Sequence, residues 1–154
     1  MGTYWVDLPD FASSVENLQV QRGVGTSTNG SSAFGASINI LTDLISKTPY
    51  FENSNSIGSY NTLKNTFKFS TGILNDYFEF SGRLSKIDSD GYIDRSSSDL
   101  KSYFLQVNYK KENTLIKALS FGGHEITYQA YNGIDGETLE SDRTYNPSGM
   151  YIDQ

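Results

Sequence analysis

The chain has no cysteine, one histidine and three prolines among its 154 residues. Without thiols there is no disulfide framework, no thiolate nucleophile and no thiol-bound metal. His124 has only Glu125 as an acidic neighbour, so neither a metal site nor a catalytic constellation forms around it in sequence, and a structural role is the default. Basic residues are also scarce: 12 Lys and Arg stand against 18 Asp and Glu, for a net charge of −6. Nothing forms the basic stripe a phosphate-reading surface needs, which argues against nucleic acid as a partner. No apolar run approaches the roughly 18 residues of a membrane helix. A β-barrel span stays open, because it requires only about 10 residues of alternation with a polar inward face. The mean hydropathy of −0.46 is therefore neutral on membrane location. The opening stretch, Met1 to Asp7, has no basic segment followed by an apolar core and is not a secretory signal. An exported reading thus expects this chain to be an internal piece of a longer protein.

What is abundant is aromatic: 11 Tyr and 9 Phe, within an apolar share of only 36%. That mixture suits long, half-buried strands rather than a packed globule or a disordered chain. Pro9 and Asp10 open a short helical turn through Ser14, with Asp10 able to cap it. Glu16–Arg22 alternates as a strand with Leu18 and Val20 on one face, and Ala36–Thr42 alternates again with Ile38 and Ile40 together. Between them Gly23, Gly25, Gly30 and Gly35 permit a tightly folded loop. This loop lacks the Lys-Ser/Thr ending of a phosphate cradle, and a strand rather than a helix follows, which argues against nucleotide binding.

The run Val20-Gln21-Arg22-Gly23, a Gly/Ser-rich loop, then Gly35-Ala36-Ser37-Ile38-Asn39-Ile40 resembles the C-terminal end of the plug domain of TonB-dependent outer-membrane receptors. The resemblance spans the whole chain and implies an all-β fold. Residues 1–45 would be the C-terminal part of a plug. Residues 46–154 would be about five antiparallel strands of a transmembrane β-barrel, 22-stranded in that family and incomplete here. It further implies active uptake of a large scarce nutrient (ferric siderophore, cobalamin or glycan) across the outer membrane of a Gram-negative bacterium. The implied partners are the TonB energy-coupling complex, an extracellular ligand such as an iron chelate, and outer-membrane lipids, with no cofactor and no enzyme chemistry. Arg22 and Gly23 fall where the family locks plug to barrel through ion pairs; a surface Arg beside a turn is the plainer alternative. At the loop apex the family's Tyr-Gly pair is replaced by Asn29-Gly30. Thr28, Asn29, Tyr131 and Tyr145 are the candidate ligand contacts, although Asn-Gly also serves simply as a turn.

The second part of the chain can be read without the resemblance. Glu52–Gly58, Leu63–Ile73, Tyr77–Lys86, Leu100–Tyr109 and Thr114–Tyr128 are expected strands, joined by turns at 59–62, 74–76 and 110–113 and a loop at 88–99. Phe67, Phe69, Phe78, Phe80, Leu84, Tyr103, Leu105, Val107 and Tyr109 take one parity, and Lys64, Lys68, Glu79 and Arg83 the other. If the first parity meets lipid, the charges must point inward, since a charge at mid-membrane costs roughly 2–4 kcal/mol. Inward, they would pair with one another or meet the plug. Lys117 shares its parity with Leu115, Leu119 and Phe121 and so falls among the expected outward set. The acidic pairs Asp88/Asp90 and Asp135/Glu137 suit either Ca²⁺ or plain solvation. The rival class is a soluble or surface-anchored all-β carbohydrate-binding module, whose apolar parity would instead be buried against a second layer.

Overall fold

The computed structural model describes residues 8–23, 35–128, 130 and 132–149; Thr28, Asn29 and Tyr131 lie outside them. Strand accounts for 56% of the described residues, among which there is one short helix, as expected of an all-β chain. A 3₁₀ turn, Phe11–Ser14, leads into a two-stranded antiparallel hairpin of β1 (Val15–Arg22) and β2 (Ala36–Thr42). Leu18 pairs with Ile40 and Val20 with Ile38, so the apolar residues share one face, as their alternation predicts.

A connector carries the chain to a five-stranded antiparallel meander: β3 (Tyr50–Ile57), β4 (Leu63–Ser70), β5 (Phe78–Ser89), β6 (Ser98–Lys111) and β7 (Thr114–Thr127). The β3–β4 connection places Tyr60 and Asn61 at φ 57 and 53, and β4–β5 places Asn75 and Asp76 at φ 48 and 63. Two successive positive-φ residues give the primed turn whose twist matches paired strands. The strand expected to run to Ile73 stops at Ser70. Gly72, at φ 64, crosses the connector so closely that a Cβ there would sit 2.7 Å from the Pro49 nitrogen. Conversely β5 and β6 extend into the expected loop through the pairs Asp88↔Asp99 and Ser89↔Ser98. Their polar side chains hid a backbone ladder that hydropathy does not register. Beyond β7 the described residues hold helix α1 (Gly136–Ser141), capped by Asp135, whose carboxylate accepts the Thr138 N–H at 2.8 Å.

Residues paired across a ladder share a face, and the sheet's two faces differ in kind. The inner face, on which residues 8–14 and 42–43 lie, carries Thr66 and Ser70 from β4, Glu79, Arg83 and Ser85 from β5, and Gln106 and Asn108 from β6, all buried. The outer face carries Phe67, Phe80, Leu84, Tyr103, Leu105 and Val107, all exposed. Phe104 is the one buried hydrophobic side chain among the described residues. It faces inward, where Phe11 of the 3₁₀ turn meets Phe104 and Phe121 at ring-centroid distances of 6.3 and 5.2 Å.

Two expectations are corrected here. Lys117 pairs with Asn108 and Phe121 with Phe104, so the Leu115–Phe121 parity faces inward, not outward. Its apolar members stay 43–56% exposed: Phe121 meets Phe11, Leu115 and Leu119 line a depression with Ile40, Leu41 and Leu44, and Lys117 donates to Thr42 Oγ1 and the Asp43 carbonyl. Asp10 makes no side-chain cap to the turn it precedes and sits at φ 56, because its carboxylate is engaged by the sheet.

Candidate functional site

The densest polar constellation is the seam between the N-terminal segment and the inner face. Pro9 and the 3₁₀ turn lower Asp10 onto β4 and β5. Its Oδ1 accepts from Lys64 Nζ at 2.6 Å and from Ser13 Oγ at 2.5 Å. Its Oδ2 accepts from Arg83 at 2.8 Å and from Ser85 Oγ at 2.5 Å. Arg83 also donates to Ser14 Oγ at 2.7 Å and to Ser102 Oγ at 3.2 Å. The Asp10 and Arg83 side chains retain only 7% and 2% of their accessible surface, so the pair is dry and its members hold each other. Burial works to raise the Asp10 carboxyl pKa; hydrogen bonds from Lys64, Ser13 and Ser85 and the Arg83 charge outweigh it and hold the group below its usual value.

A second anchor lies where β2 ends. The Asp43 carbonyl accepts from Gln106 Nε2 at 3.1 Å and Lys117 Nζ at 3.3 Å, and Thr42 Oγ1 donates to Gln106 Oε1 at 3.3 Å. Lys68 stands 4.0 Å from the Asp43 carboxylate. Deeper toward the turn end, buried Glu79 accepts from Ser70 Oγ and Asn108 Nδ2, both at 2.6 Å. Thus Lys64, Lys68 and Arg83 meet the N-terminal segment, whereas Glu79 is satisfied by neutral donors.

Arg22 is exposed at the far end of the hairpin, and no ion pair to it occurs among the described residues. Gly23, at φ 87, closes the hairpin through its N–H to the Gly35 carbonyl at 2.8 Å. The interlock therefore runs through Asp10, Ser14 and Arg83. The sequence signal for it was an Asp after Pro in a polar turn, legible as a cap but not as an ion-pair partner.

At the opposite, loop end, Tyr145 is half-buried in a stretch tied to residues 94–95. Arg95 donates to the Asn146 carbonyl and, at 3.1 Å, to that of Ser148; Asn146 Nδ2 donates to the Asp94 carbonyl at 2.8 Å. Tyr60 and Tyr92 meet edge-on at 5.5 Å. Among the described residues no group of His, Asp and Glu is placed to hold a metal: Asp88 pairs with Lys86, Asp90 with Asn61, and Asp135 caps α1. Comparison with known protein families, curated proteins and solved structures returned no match.

Proposed function

We propose that this chain is part of a TonB-dependent outer-membrane receptor, comprising the last strands of the plug and the first strands of the barrel wall. One observation carries the reading: the sheet is inside-out. Glu79, Arg83 and Gln106 are 1%, 2% and 1% exposed, while Phe67, Leu84 and Leu105 are 40%, 52% and 42% exposed. A water-soluble sandwich places its apolar parity against a second layer; here the second layer covers the polar parity. A wall between hydrocarbon and a filled lumen calls for this arrangement. Tyr77, Phe78 and Tyr109 cluster at the turn end of the outer face, with centroids 6.2 and 5.0 Å apart, where an interfacial aromatic girdle belongs. The apolar band is fullest on β4–β6; edge strand β3 presents Asn53 and Asn55 on the same side.

On this reading the protein binds a large scarce nutrient outside and makes or breaks no bond. Its residues hold a plug in place until force from the energy-coupling complex moves it. A pull arriving from the N-terminal side loads the Asp10–Arg83 interlock before it reaches the Asp43 anchor. The interlock would therefore yield first, with residues 42–49 serving as the tether. Phe67→Arg in the full-length protein places a charge on the lipid face and should abolish outer-membrane assembly. Ser81→Arg, facing inward beside Glu79, should be tolerated. Equal outer-membrane yields of the two variants would contradict the assigned faces.

A further inference from the structure

At one level of the outer face the ladders bring Asn65, Lys86, Lys101 and His124 side by side: Asn65 pairs with Lys86, Lys86 with Lys101, and Lys101 with His124. The next level toward the turn end is Phe67, Leu84, Tyr103 and Gly122. Adjacent strands are about 4.8 Å apart, so three basic side chains line up within roughly 10 Å. Like charges directly opposite each other are unfavourable, and Lys86 and Lys101 face one another across the ladder. Their ion-pair partners are Asp88 at 2.9 Å and Asp99 at 3.4 Å, each on the same strand as its lysine, with the lysines half exposed. Such solvent-exposed pairs contribute little and leave the row open to a further anion. A shallow depression of about 340 Å³ lies beside it, lined by Lys101, Ser102, Tyr103, Gly123 and His124.

The height of the row fits a membrane boundary. Lys101 is eight residues from Tyr109 on β6, about 27 Å along a strand. A tilt of about 40° reduces this to roughly 20 Å across the membrane, and the lysine stems extend the reach toward the edge of a band about 25 Å tall.

We propose that this row is a binding site for the phosphorylated headgroup of a membrane lipid. Lys86 and Lys101 are its phosphate ligands, Asn65 and His124 supply hydrogen bonds, and Tyr103 lies against the upper acyl chain. The site rests on the outer-face reading given above. The test is native mass spectrometry of the full-length protein in neutral detergent, titrated separately with phosphatidate, phosphatidylcholine and inorganic phosphate. Phosphatidate should bind preferentially, and the double variant Lys86→Gln/Lys101→Gln should weaken it roughly 30-fold. Lys47→Gln/Arg143→Gln, an equal charge change elsewhere, should leave it unchanged. The proposal is overturned if the double variant binds phosphatidate like the wild type, if phosphatidylcholine is held equally, or if inorganic phosphate binds as tightly as the lipid. A failure of the outer-face reading itself would show separately, as a protein that stays folded and dispersed without detergent.

Discussion

Removing the Asp10 carboxylate should free the N-terminal segment far more than losing one surface contact would. Arg83 is 2% exposed beneath the docked segment, and without the Asp10 carboxylate its docked partners would be the Ser14 and Ser102 hydroxyls. Breaking a buried pair from one side costs about 3–5 kcal/mol, because the remaining charge is uncompensated. The Lys64 contact adds little, since that side chain is 32% exposed and exposed pairs are worth roughly 0–1 kcal/mol. At about 1.4 kcal/mol per decade, the open population of the segment should rise at least on the order of 10²-fold. Replacing both members, Asp10→Ala with Arg83→Met, should recover most of this, because an apolar pair of similar volume is close to neutral. The assay is limited proteolysis of the full-length protein in detergent, with cleavage slow enough that its rate follows the open population. Single variants whose effects add to within about 0.5 kcal/mol in the double variant would refute the interlock, since uncoupled sites behave that way.

Acid should release the same contact. The folded pKa of Asp10 is depressed, so its contribution is fully present above the unfolded value of about 3.9 and is lost as pH falls through the folded value; proteolysis rates should be flat from pH 6 to 8 and climb only below about pH 4. Phe11→Ala removes the ring that meets Phe104 and Phe121 and should cost about 2–4 kcal/mol of segment docking, read by the same cleavage assay, with the sheet's own thermal transition unmoved. Gly72→Ala forces a Cβ to within 2.7 Å of the Pro49 backbone at φ 64 and should lower the melting temperature, whereas Gly136→Ala, with open space around it, should not.

Strands, turns and parity on β4–β6 were legible because each residue there meets one of two unlike environments, and alternation records that directly. Leu63, Phe67 and Phe69 against Lys64, Thr66 and Lys68 needed no further information. On β7 the rule failed. Leu119 and Phe121 face inward because Phe11 and the end of β2 supply an apolar patch within a polar face, and a partner remote in sequence leaves no local periodicity. Asp10 follows the same logic: a capping carboxylate and an ion-pairing one look alike in sequence until the strand bearing Arg83 is placed beneath it. The ends of β5 and β6 leave no hydropathy signal because Asp88 and Asp99 pair through backbone alone. Of the candidate contacts, Arg22 and Gly23 lie apart from the interlock, and Tyr145 lies in the clamped loop region.

The central claim is that neighbouring residues of β6 face hydrocarbon and protein in turn. The chain's lack of cysteine lets spin labels be placed singly within this stretch at positions 103 to 108 of the full-length protein in bilayers. The account predicts strong relaxation by lipid-soluble oxygen at Tyr103, Leu105 and Val107 and little at Phe104, Gln106 and Asn108. Uniform accessibility along the strand, or oxygen contact on the even positions, would contradict it.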